Sequence, residues 1–530
     1  MRARNNPDRF LQEDAVNRFI QRHRDAVTGF LHGFDRLVFR GTLRRIAYVD
    51  GMRALLSQTG VLLKDFSKYA LALTERLKNS TRSIAERTGR PLVYLPSSSE
   101  NKEARALKIA GEDSIRSGLV CILSSLETCM GYDIYRDAEA KKLRLVLRQR
   151  KCLHYYHYFI HPVFGWMNAR IQTWVPFRVQ ICMNGREYLG VQLDRAGLDY
   201  VRRDNCFPAI PKLKRAQAFM ERFLKTNWPS ALDEILSRLD PLHDFMFGET
   251  QIPYYWSVYQ SEYATDLMFR DNASLAEVYR PLVLHGITTF SSGDVMRFLG
   301  GKVHGRFLGE IVSDYKDRPE GVRVKHAANG NSIKIYDKQG SVLRVETTIN
   351  NPHGIKVYRP IEGDPQGDKD WRPLRKGIAD LHRRAQVSEA ANRRYLDALA
   401  VVDTSRPLGE LLTPLTQSVL SGATRVRGLR PWAKDDLDLI RAVLRGEFSI
   451  AGFRCRDLEP YIYSERTNDP VEAKRRSRRI GRLLRMLRVH GLIQRVPKSY
   501  RYLPTKRGRE LLSAIAAADL LTLQQIRNAA

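Results

Sequence analysis

Residues 469–507 constrain the fold more than any other part of the chain, because they predict a long basic helix followed by a short β-ribbon. Asp469 is a residue type that caps helices, and Pro470 suits a first helical turn. Glu472 stands at the third position after the cap, where it completes a capping box. Gly491 supplies the left-handed residue that ends many helices. Both ends of the helix are therefore marked in the sequence.

The 3.6-residue helical period divides this helix into an apolar side and a basic side. The apolar side is formed by Ile480, Leu483, Leu484 and Leu487. The opposite side, here called the arginine face, consists of Arg475, Arg478, Arg479, Arg482 and Arg485. We expect the apolar side to pack against a core and the arginine face to meet phosphate groups.

The charge of the chain predicts contact with a polyanion. Lys and Arg number 88 against 58 Asp and Glu, which gives a formal net charge of +30. Residues 425–513 alone hold 23 Lys and Arg against 10 Asp and Glu. Because phosphate contacts release condensed counterions, affinity for nucleic acid should fall steeply as salt rises. The excess of basic residues elsewhere predicts a second region that faces nucleic acid.

The elements predicted around the basic helix follow a known order. Two helices are predicted before it, at residues 436–444 and 456–461. The two strands of the ribbon follow it at residues 492–496 and 501–504, and a closing helix starts at residue 505. Over residues 434–517 this order resembles the winged helix-turn-helix of MarR-like regulators. In that family the third helix enters the major groove and the wing tip lies beside the DNA backbone. The resemblance implies DNA contacts from the arginine face, Lys498 and Arg501.

Composition and periodicity predict a multidomain α+β protein, and the hydrophobic share of 43% supports a core in each domain. The predicted order is a mainly helical region at residues 1–115, a mixed α/β body with two β-hairpins at 116–351, a linker and basic helix at 352–428, and a winged helix-turn-helix domain at 429–530. No apolar run approaches the length of a membrane span, and no apolar leader follows the basic N-terminus. We expect a cytoplasmic, nucleoid-associated protein without a membrane partner.

The body contains the two predicted hairpins and a stretch of helical periodicity. Asn184-Gly185 favours the mirror-image turn that joins antiparallel strands, here residues 177–182 and 187–193. The second hairpin covers residues 331–350, with its turn at Gln339-Gly340. Residues 204–271 show helical periodicity, and the aromatic residues at its end are expected to lie in a core rather than to stack on bases.

The polar side of the second hairpin carries four residues that we predict to be catalytic: Lys334, Asp337, Arg344 and Glu346. Its string YDKQGSVLRVE resembles a strand pair of the replication-initiator proteins of plasmids and filamentous phages. In such a site a carboxylate holds Mg²⁺ or Mn²⁺, while lysine and arginine stabilise charge on phosphate oxygens. Asp35, Asp266 and Glu310 are candidates for completing the carboxylate set. The alternative is a surface hairpin with cross-strand ion pairs.

A second group of candidate ligands lies in KCLHYYHYFIH, which contains Cys152, His154, His157 and His161. His157 and His161 share a face on a helix or a strand, so their spacing allows both to bind one metal ion. The interleaved aromatic residues favour a packed strand with buried histidines instead. The six cysteines lack CxxC spacing, so we expect reduced thiols rather than a disulfide scaffold or a zinc finger.

These observations predict a DNA-binding protein of a bacterial mobile or replicating element that recognises its site through a C-terminal winged helix. Strings such as FDRLVFRGTLR at residues 34–44 resemble bacterial open reading frames of unassigned role, which implies a bacterial source. One alternative is a metal-dependent nuclease, transposase-like or replication-initiator enzyme; another is a large winged-helix transcriptional regulator. Double-stranded DNA is the expected partner, and single-stranded DNA, RNA and a homodimer stay open. Convergence of Asp35, Asp266, Glu310 and Glu346 would favour the enzyme.

Overall fold

The structure of the protein is a computed structural model, and both helices and strands form large shares of it. The α+β class is therefore confirmed. The described residues are 19–239, 252–288, 290, 292–300, 311–316, 323–361, 363–364, 366–400, 408–445, 448, 452–463, 465, 467, 469–496 and 499–519. Among the helices in these ranges, none combines the length and the apolar character that crossing a membrane requires.

The strands are β1 (Val27–Leu43), β2 (Leu92–Tyr94), β3 (Gly118–Asp137), β4 (Lys142–His161), β5 (Gly165–Gln172), β6 (Val179–Asn184), β7 (Val201–Arg203), β8 (Cys206–Ala209), β9 (Tyr254–Phe269), β10 (Ile311–Lys316), β11 (Arg323–Ala328), β12 (Asn331–Lys338), β13 (Val342–Ile349), β14 (Lys356–Arg359), β15 (Asp370–Pro373), β16 (Val419–Ser421), β17 (Thr424–Val426), β18 (Ile493–Arg495) and β19 (Tyr502–Pro504).

The α-helices are α1 (Val49–Gln58), α2 (Phe66–Thr88), α3 (Lys102–Glu112), α4 (Gly185–Arg195), α5 (Leu213–Leu224), α6 (Trp228–Leu239), α7 (Asn272–Thr288), α8 (Ser292–Phe298), α9 (Leu381–Ala400), α10 (Leu408–Thr416), α11 (Lys434–Val443), α12 (Cys455–Ile462), α13 (Pro470–Val489) and α14 (Lys506–Ala518). The chain divides into two compact units. The first unit comprises Met1–Val27, Arg270–Val345 and Ala391–Ala530, and the second comprises Thr28–Phe269 and Glu346–Ala390.

The second unit is built on a large sheet. Its strands lie in the order β2, β3, β4, β5, β6, β1, β9 and then residues 346–349 of β13. The β2–β3 pair is parallel, whereas the pairs from β3 to β6 and the β6–β1 pair are antiparallel. Alternate residues of β5 and β6 enter a core shared with α1, α2, α4, α5 and α6. The helix α3 packs on the remaining side chains of β3 and β4.

The predicted hairpin at Asn184-Gly185 is wrong, because Gly185 begins the helix α4. The Asn184 side chain accepts hydrogen bonds from the backbone N–H groups of Arg186, at 2.7 Å, and Glu187, at 3.2 Å. Asn184 is therefore a helix cap, a role for which this residue type is as well suited as for a turn. A Cβ atom at Gly185 would lie 2.0 Å from the carbonyl oxygen of Phe34, so the glycine permits a close backbone approach.

The helical periodicity predicted for residues 204–271 is correct for α5 and α6 and wrong for β9. In the first half of β9, the buried Tyr254, Trp256 and Val258 alternate with more exposed neighbours. This period of two marks a strand with one covered face. The aromatic side chains of that covered face lie in the core, as predicted.

The first unit contains the second predicted hairpin. β10, β11, β12 and residues 342–345 of β13 are neighbours in this order. Gln339 and Gly340 both have positive φ angles, 59° and 76°, so the turn lies where the sequence predicts it. All eight residues of β13 are buried, and therefore the alternative of a surface hairpin is wrong.

The C-terminal part of the first unit has its own core. This core joins apolar residues of α11, α12, α13, β18 and α14, and these elements follow the predicted order. Leu412, Leu415 and Val426 belong to the same core, although they precede the predicted domain start at residue 429. The carboxylate of the buried Asp436 accepts hydrogen bonds from Arg427 at 2.6 and 2.8 Å, which also ties α11 to the residues before 429.

Candidate functional site

Three carboxylates converge on neighbouring strands of the second unit. Asp35 lies on β1, Glu262 on β9 and Glu346 on β13, and one oxygen from each lies within 4.8 Å of the others. Asp35 is 5% exposed and Glu346 is 1% exposed, whereas Glu262 is half-buried. We call these residues the carboxylate trio. Asp35 and Glu346 are two of the four carboxylates whose convergence would favour the enzyme, and Glu262 joins them.

Neutral amide groups hold two members of the trio in place. The Asn205 Nδ2 atom donates a hydrogen bond to Asp35 Oδ1 at 2.8 Å. The Gln260 Nε2 atom donates to Glu262 Oε1, also at 2.8 Å. Such bonds orient a carboxylate, and burying like charges close together carries a cost that a cation shared by the three oxygens would reduce.

The other two carboxylates of the predicted set do not join the trio in the described residues. Asp266 forms a fully buried ion pair with Arg186, whose Nη2 atom lies 3.0 Å from Asp266 Oδ2. The expectation that Asp266 belongs to the metal-binding set is therefore wrong, because its charge is already matched by arginine. Glu310 lies outside the described residues.

Three of the four residues predicted to be catalytic belong to the first unit. Asp337 Oδ1 accepts a hydrogen bond from the Gly340 backbone N–H at 2.8 Å, so this carboxylate closes the hairpin turn. Burial raises the pKa of Asp337 above its usual value. Lys334 places its ammonium nitrogen 5.5 Å from the Tyr336 ring, and Arg344 is buried. Of the predicted four, only Glu346 is a member of the carboxylate trio.

Basic side chains approach the strands that carry the trio. Arg36 follows Asp35 on β1 and is exposed; the adjacent Cys182, and then Glu262, raise its pKa above the usual value. Arg384 of α9 is buried and donates to the Ser261 hydroxyl at 3.5 Å and to the Ile349 carbonyl oxygen at 3.1 Å. Burial lowers the pKa of Arg384 to about 10, so it stays protonated at neutral pH.

A strip of stacked arginine and tyrosine side chains continues along β1 and β9. The guanidinium of Arg40 lies 3.8 Å from the centre of the Tyr259 ring, and that of Arg44 lies 3.5 Å from the Tyr255 ring. Both tyrosines are exposed. Cation–π stacking holds the arginines flat on the rings, so the strip presents positive charge and planar groups together. These are the two features with which proteins contact single nucleic-acid strands.

The ligand chemistry of the trio fits a hard divalent cation. Its donors are carboxylate oxygens alone, which suit Mg²⁺, Mn²⁺ or Ca²⁺ rather than metals that prefer nitrogen or sulfur. The predicted cofactors Mg²⁺ and Mn²⁺ therefore match the residues that the fold brings together. Lys334, Asp337 and Arg344 have no part in this donor set.

The histidine-rich segment forms part of β4 and is packed, as predicted. Neither ring nitrogen of the fully buried His157 has a hydrogen-bond partner among the described residues, and burial lowers its pKa to about 4. His161 Nδ1 accepts from the backbone N–H groups of Val163 and Phe164, at 3.1 and 3.2 Å, where β4 ends. His157 therefore packs inside the protein, and His161 stabilises the turn that follows β4.

The basic helix α13 forms with the predicted caps and faces. The Asp469 side chain accepts from the Val471 backbone N–H at 3.0 Å, and Gly491 follows the helix with a φ angle of 71°. The predicted capping box is wrong, because Glu472 pairs with Arg475 and Arg476 while Thr467 accepts from the Asp469 N–H. The predicted apolar side is buried, and all residues of the arginine face are exposed.

Acidic neighbours occupy part of the arginine face. Arg475 pairs with Glu472 at 2.7 Å, and Arg479 pairs with Asp435 of α11 at 2.6 Å. Within the described ranges, the other three arginines of the face form no ion pair, and they recur three to four residues apart along the helix: Arg478, Arg482 and Arg485. These three offer the most accessible positive charge.

The two residues predicted to contact DNA from the wing are Arg501 and Lys498. Arg501 donates from Nη1 to the Gly452 carbonyl oxygen at 2.8 Å, so part of its guanidinium holds the loop before α12. Lys498 lies outside the described residues. The assignment of this region as a winged helix, and of its DNA contacts, stays a prediction.

Sequence reasoning missed Glu262, and the reason lies in β9. A helical interpretation of the segment around Glu262 gives no reason to place its side chain beside the hairpin carboxylates. The alternation of large and polar residues in YYWSVYQSE is the signal that would have indicated a strand. Comparison of the chain with protein-family models, with curated proteins and with solved structures finds no match.

Proposed function

We propose that this protein is a DNA-binding enzyme that cleaves or joins phosphodiester bonds with the help of a divalent cation held by Asp35, Glu262 and Glu346. The observation that carries the proposal is the convergence of three carboxylates, two of them buried, from three neighbouring strands. Nuclease, transposase-like and replication-initiator activities all belong to this chemical class. The sequence resemblances favour a bacterial mobile or replicating element as the setting.

The chain's own residues would perform three tasks in this reaction. The trio would hold Mg²⁺ or Mn²⁺, and the chemistry supplied there would be polarisation of a phosphate oxygen. Arg36, exposed and beside Glu262, stabilises negative charge on the phosphate. The amides of Asn205 and Gln260 fix the orientation of two trio carboxylates, so that little rearrangement is needed when substrate arrives.

The strip on β1 and β9 suits the strand that is to be cut. Arg40 and Arg44 would bind backbone phosphates, while the faces of Tyr255 and Tyr259 limit how far each guanidinium moves. Because Arg36 lies close enough to Glu262 for this carboxylate to raise its pKa, a nucleic-acid strand bound at Arg36 would lie near the trio. Single-stranded DNA is therefore the substrate form that we favour for this surface.

The arginine face of α13 would bind duplex DNA. Its side chains are exposed while the opposite side of the helix is fixed in a core, so the face is presented on a rigid element. In the winged-helix arrangement that the sequence resembles, this helix lies in the major groove. Site recognition and chemistry would then reside in different parts of the chain.

The catalytic proposal is tested by incubating the purified full chain with supercoiled and single-stranded DNA, with Mg²⁺, with Mn²⁺ or with a chelator. We expect metal-dependent nicking, cutting or joining that is lost in Glu346→Gln, Glu262→Gln and Asp35→Asn. Glu112→Gln, a change of an exposed carboxylate on α3, is the matched control and should keep activity. Absence of metal-dependent reaction on every DNA, or full activity in Glu346→Gln, would overturn the enzyme and leave a DNA-binding protein.

The binding proposal is tested separately, by measuring the affinity for duplex DNA at several salt concentrations. Replacing Arg475, Arg478, Arg479 and Arg482 by alanine should weaken binding and reduce the slope of log affinity against log salt by about 0.9 for each phosphate that the helix no longer binds. Arg441→Ala, on the neighbouring helix α11, serves as the control for general loss of charge. If the quadruple variant keeps both affinity and slope, α13 does not contact DNA.

A further inference from the structure

Two thiols and an imidazole meet where β3 pairs with β4 in the second unit. Cys129 Sγ lies 2.8 Å from Cys152 Sγ, and Cys152 Sγ lies 3.9 Å from His154 Nδ1. The register places Glu127 opposite Cys152, so Cys129, two residues further along β3, projects from the same face as Cys152 and His154. One ligand atom from each of the three lies within 4.8 Å of the others. We call this group the Cys-Cys-His cluster.

We propose that the Cys-Cys-His cluster binds one zinc ion through both thiolates and the imidazole, with a fourth position open to water or a ligand. Two sulfurs and one nitrogen form a common ligand set of zinc, with bonds of about 2.3 Å to sulfur and about 2.0 Å to nitrogen. Tetrahedral bonding at these lengths places the two sulfurs about 3.8 Å apart. Rotation of one cysteine side chain would provide the extra separation.

Three arginines favour the ionised form of this cluster. Arg150 and Arg170 act on both sulfurs, and Arg178 acts on that of Cys129. The hydrogen bond from Cys152, together with these arginines, holds the pKa of Cys129 below its usual value. The same contact and burial raise the pKa of Cys152. A bound dication would favour loss of the proton from both thiols.

The charge state and the position of the His154 imidazole suit a metal ligand. Burial lowers the pKa of His154 to about 4, so the ring is neutral at physiological pH and has a lone pair to offer. Its Nδ1 atom lies 3.2 Å from the Cys152 carbonyl oxygen. Binding of the metal at Nδ1, the nitrogen that lies 3.9 Å from Cys152 Sγ, requires the tautomer that carries its proton on Nε2.

The position of the cluster suggests what the metal would do. Cys152 and His154 are buried within the sheet, whereas Cys129 is partly exposed, so the open position would face the side of Cys129. A bound ion would join β3 to β4 in the second unit. Its sulfur ligands also make it chemically distinct from the carboxylate trio, which offers only oxygen.

The test uses the full chain, stripped of metal by a chelator under reducing conditions and then titrated with Zn²⁺ or with Co²⁺. We expect one tightly bound Zn²⁺ in addition to any ion at the carboxylate trio. With Co²⁺ we expect an intense near-ultraviolet band from sulfur-to-metal charge transfer. Carboxylates give no such band, so the result is independent of whether the proposed enzyme activity exists.

Variants make the assignment specific. Cys129→Ser and His154→Gln should abolish or shift the cobalt band, whereas Cys121→Ser and Cys182→Ser should leave it unchanged. Cys129 is only partly buried, so its replacement is the variant that is safest for folding. A folded Cys129→Ser protein with an unchanged band would overturn the proposal. So would a disulfide between Cys129 and Cys152, seen as a loss of two titratable thiols, in protein freshly purified under anaerobic conditions.

Discussion

Glu346→Gln should stabilise the metal-free protein and remove the stabilisation that a divalent cation gives. Glutamine keeps the size of the side chain but takes one negative charge from the trio. Two unit charges 4.8 Å apart repel each other by about 3 kcal/mol at an effective dielectric constant of about 20. Because small movements of the three carboxylates already reduce their repulsion in the absence of metal, we expect a smaller gain. It should be about 1–3 kcal/mol in the free energy of unfolding without metal.

The assay is thermal and urea-induced unfolding of the full chain, with chelator and with Mg²⁺ or Mn²⁺. For the wild type, a cation at 100 times its Kd adds about 2.7 kcal/mol, which corresponds to a Tm increase of about 2–5 °C for a protein of this size. Glu346→Gln should start from a higher Tm in chelator and show little increase with metal. The reasoning is refuted if the variant is clearly less stable than the wild type in chelator, or if it keeps the full metal-induced shift.

Three further results are expected from the contacts described above. Asp266→Asn should lower the free energy of unfolding by about 3–5 kcal/mol, because it leaves the Arg186 charge buried without its partner; a decrease below about 1 kcal/mol in urea unfolding would contradict the ion-pair role. His157→Ala should lower Tm by opening a cavity, whereas His157→Phe should flatten the decline of stability at acid pH. That decline arises because the folded pKa of about 4 lies below the ordinary 6.5, so the unfolded chain binds the extra proton as pH falls from 6.5 toward 4. Finally, the fragment 408–530 should unfold at higher urea than 429–530, since only the longer one keeps the complete C-terminal core; equal midpoints would show that residues 408–428 contribute nothing.

Local signals are the ones that sequence reasoning interprets correctly. The Asp469 cap, the Gly491 stop and the apolar side of α13 depend on residues a few positions apart, and all three are confirmed. The turn at Gln339-Gly340 is of the same kind. By contrast, Asn184-Gly185 can begin a helix or turn a hairpin, and the choice depends on tertiary structure, in which the distant Phe34 carbonyl closely approaches the glycine. Local chemistry alone could not decide between these two outcomes.

The membership of the carboxylate trio shows the same limit at the level of function. Asp35 and Asp266 are both acidic residues among apolar neighbours on strands that lie side by side, so their sequence contexts give no reason to prefer one. The fold distinguishes the two aspartates by the side chains that it places next to each of them. Arg186 matches the charge of Asp266, whereas Asp35 meets two more carboxylates. Asp266 therefore supports the fold through its ion pair, whereas Asp35 is proposed to be catalytic because two further carboxylates lie close to it and the three oxygens together suit a cation.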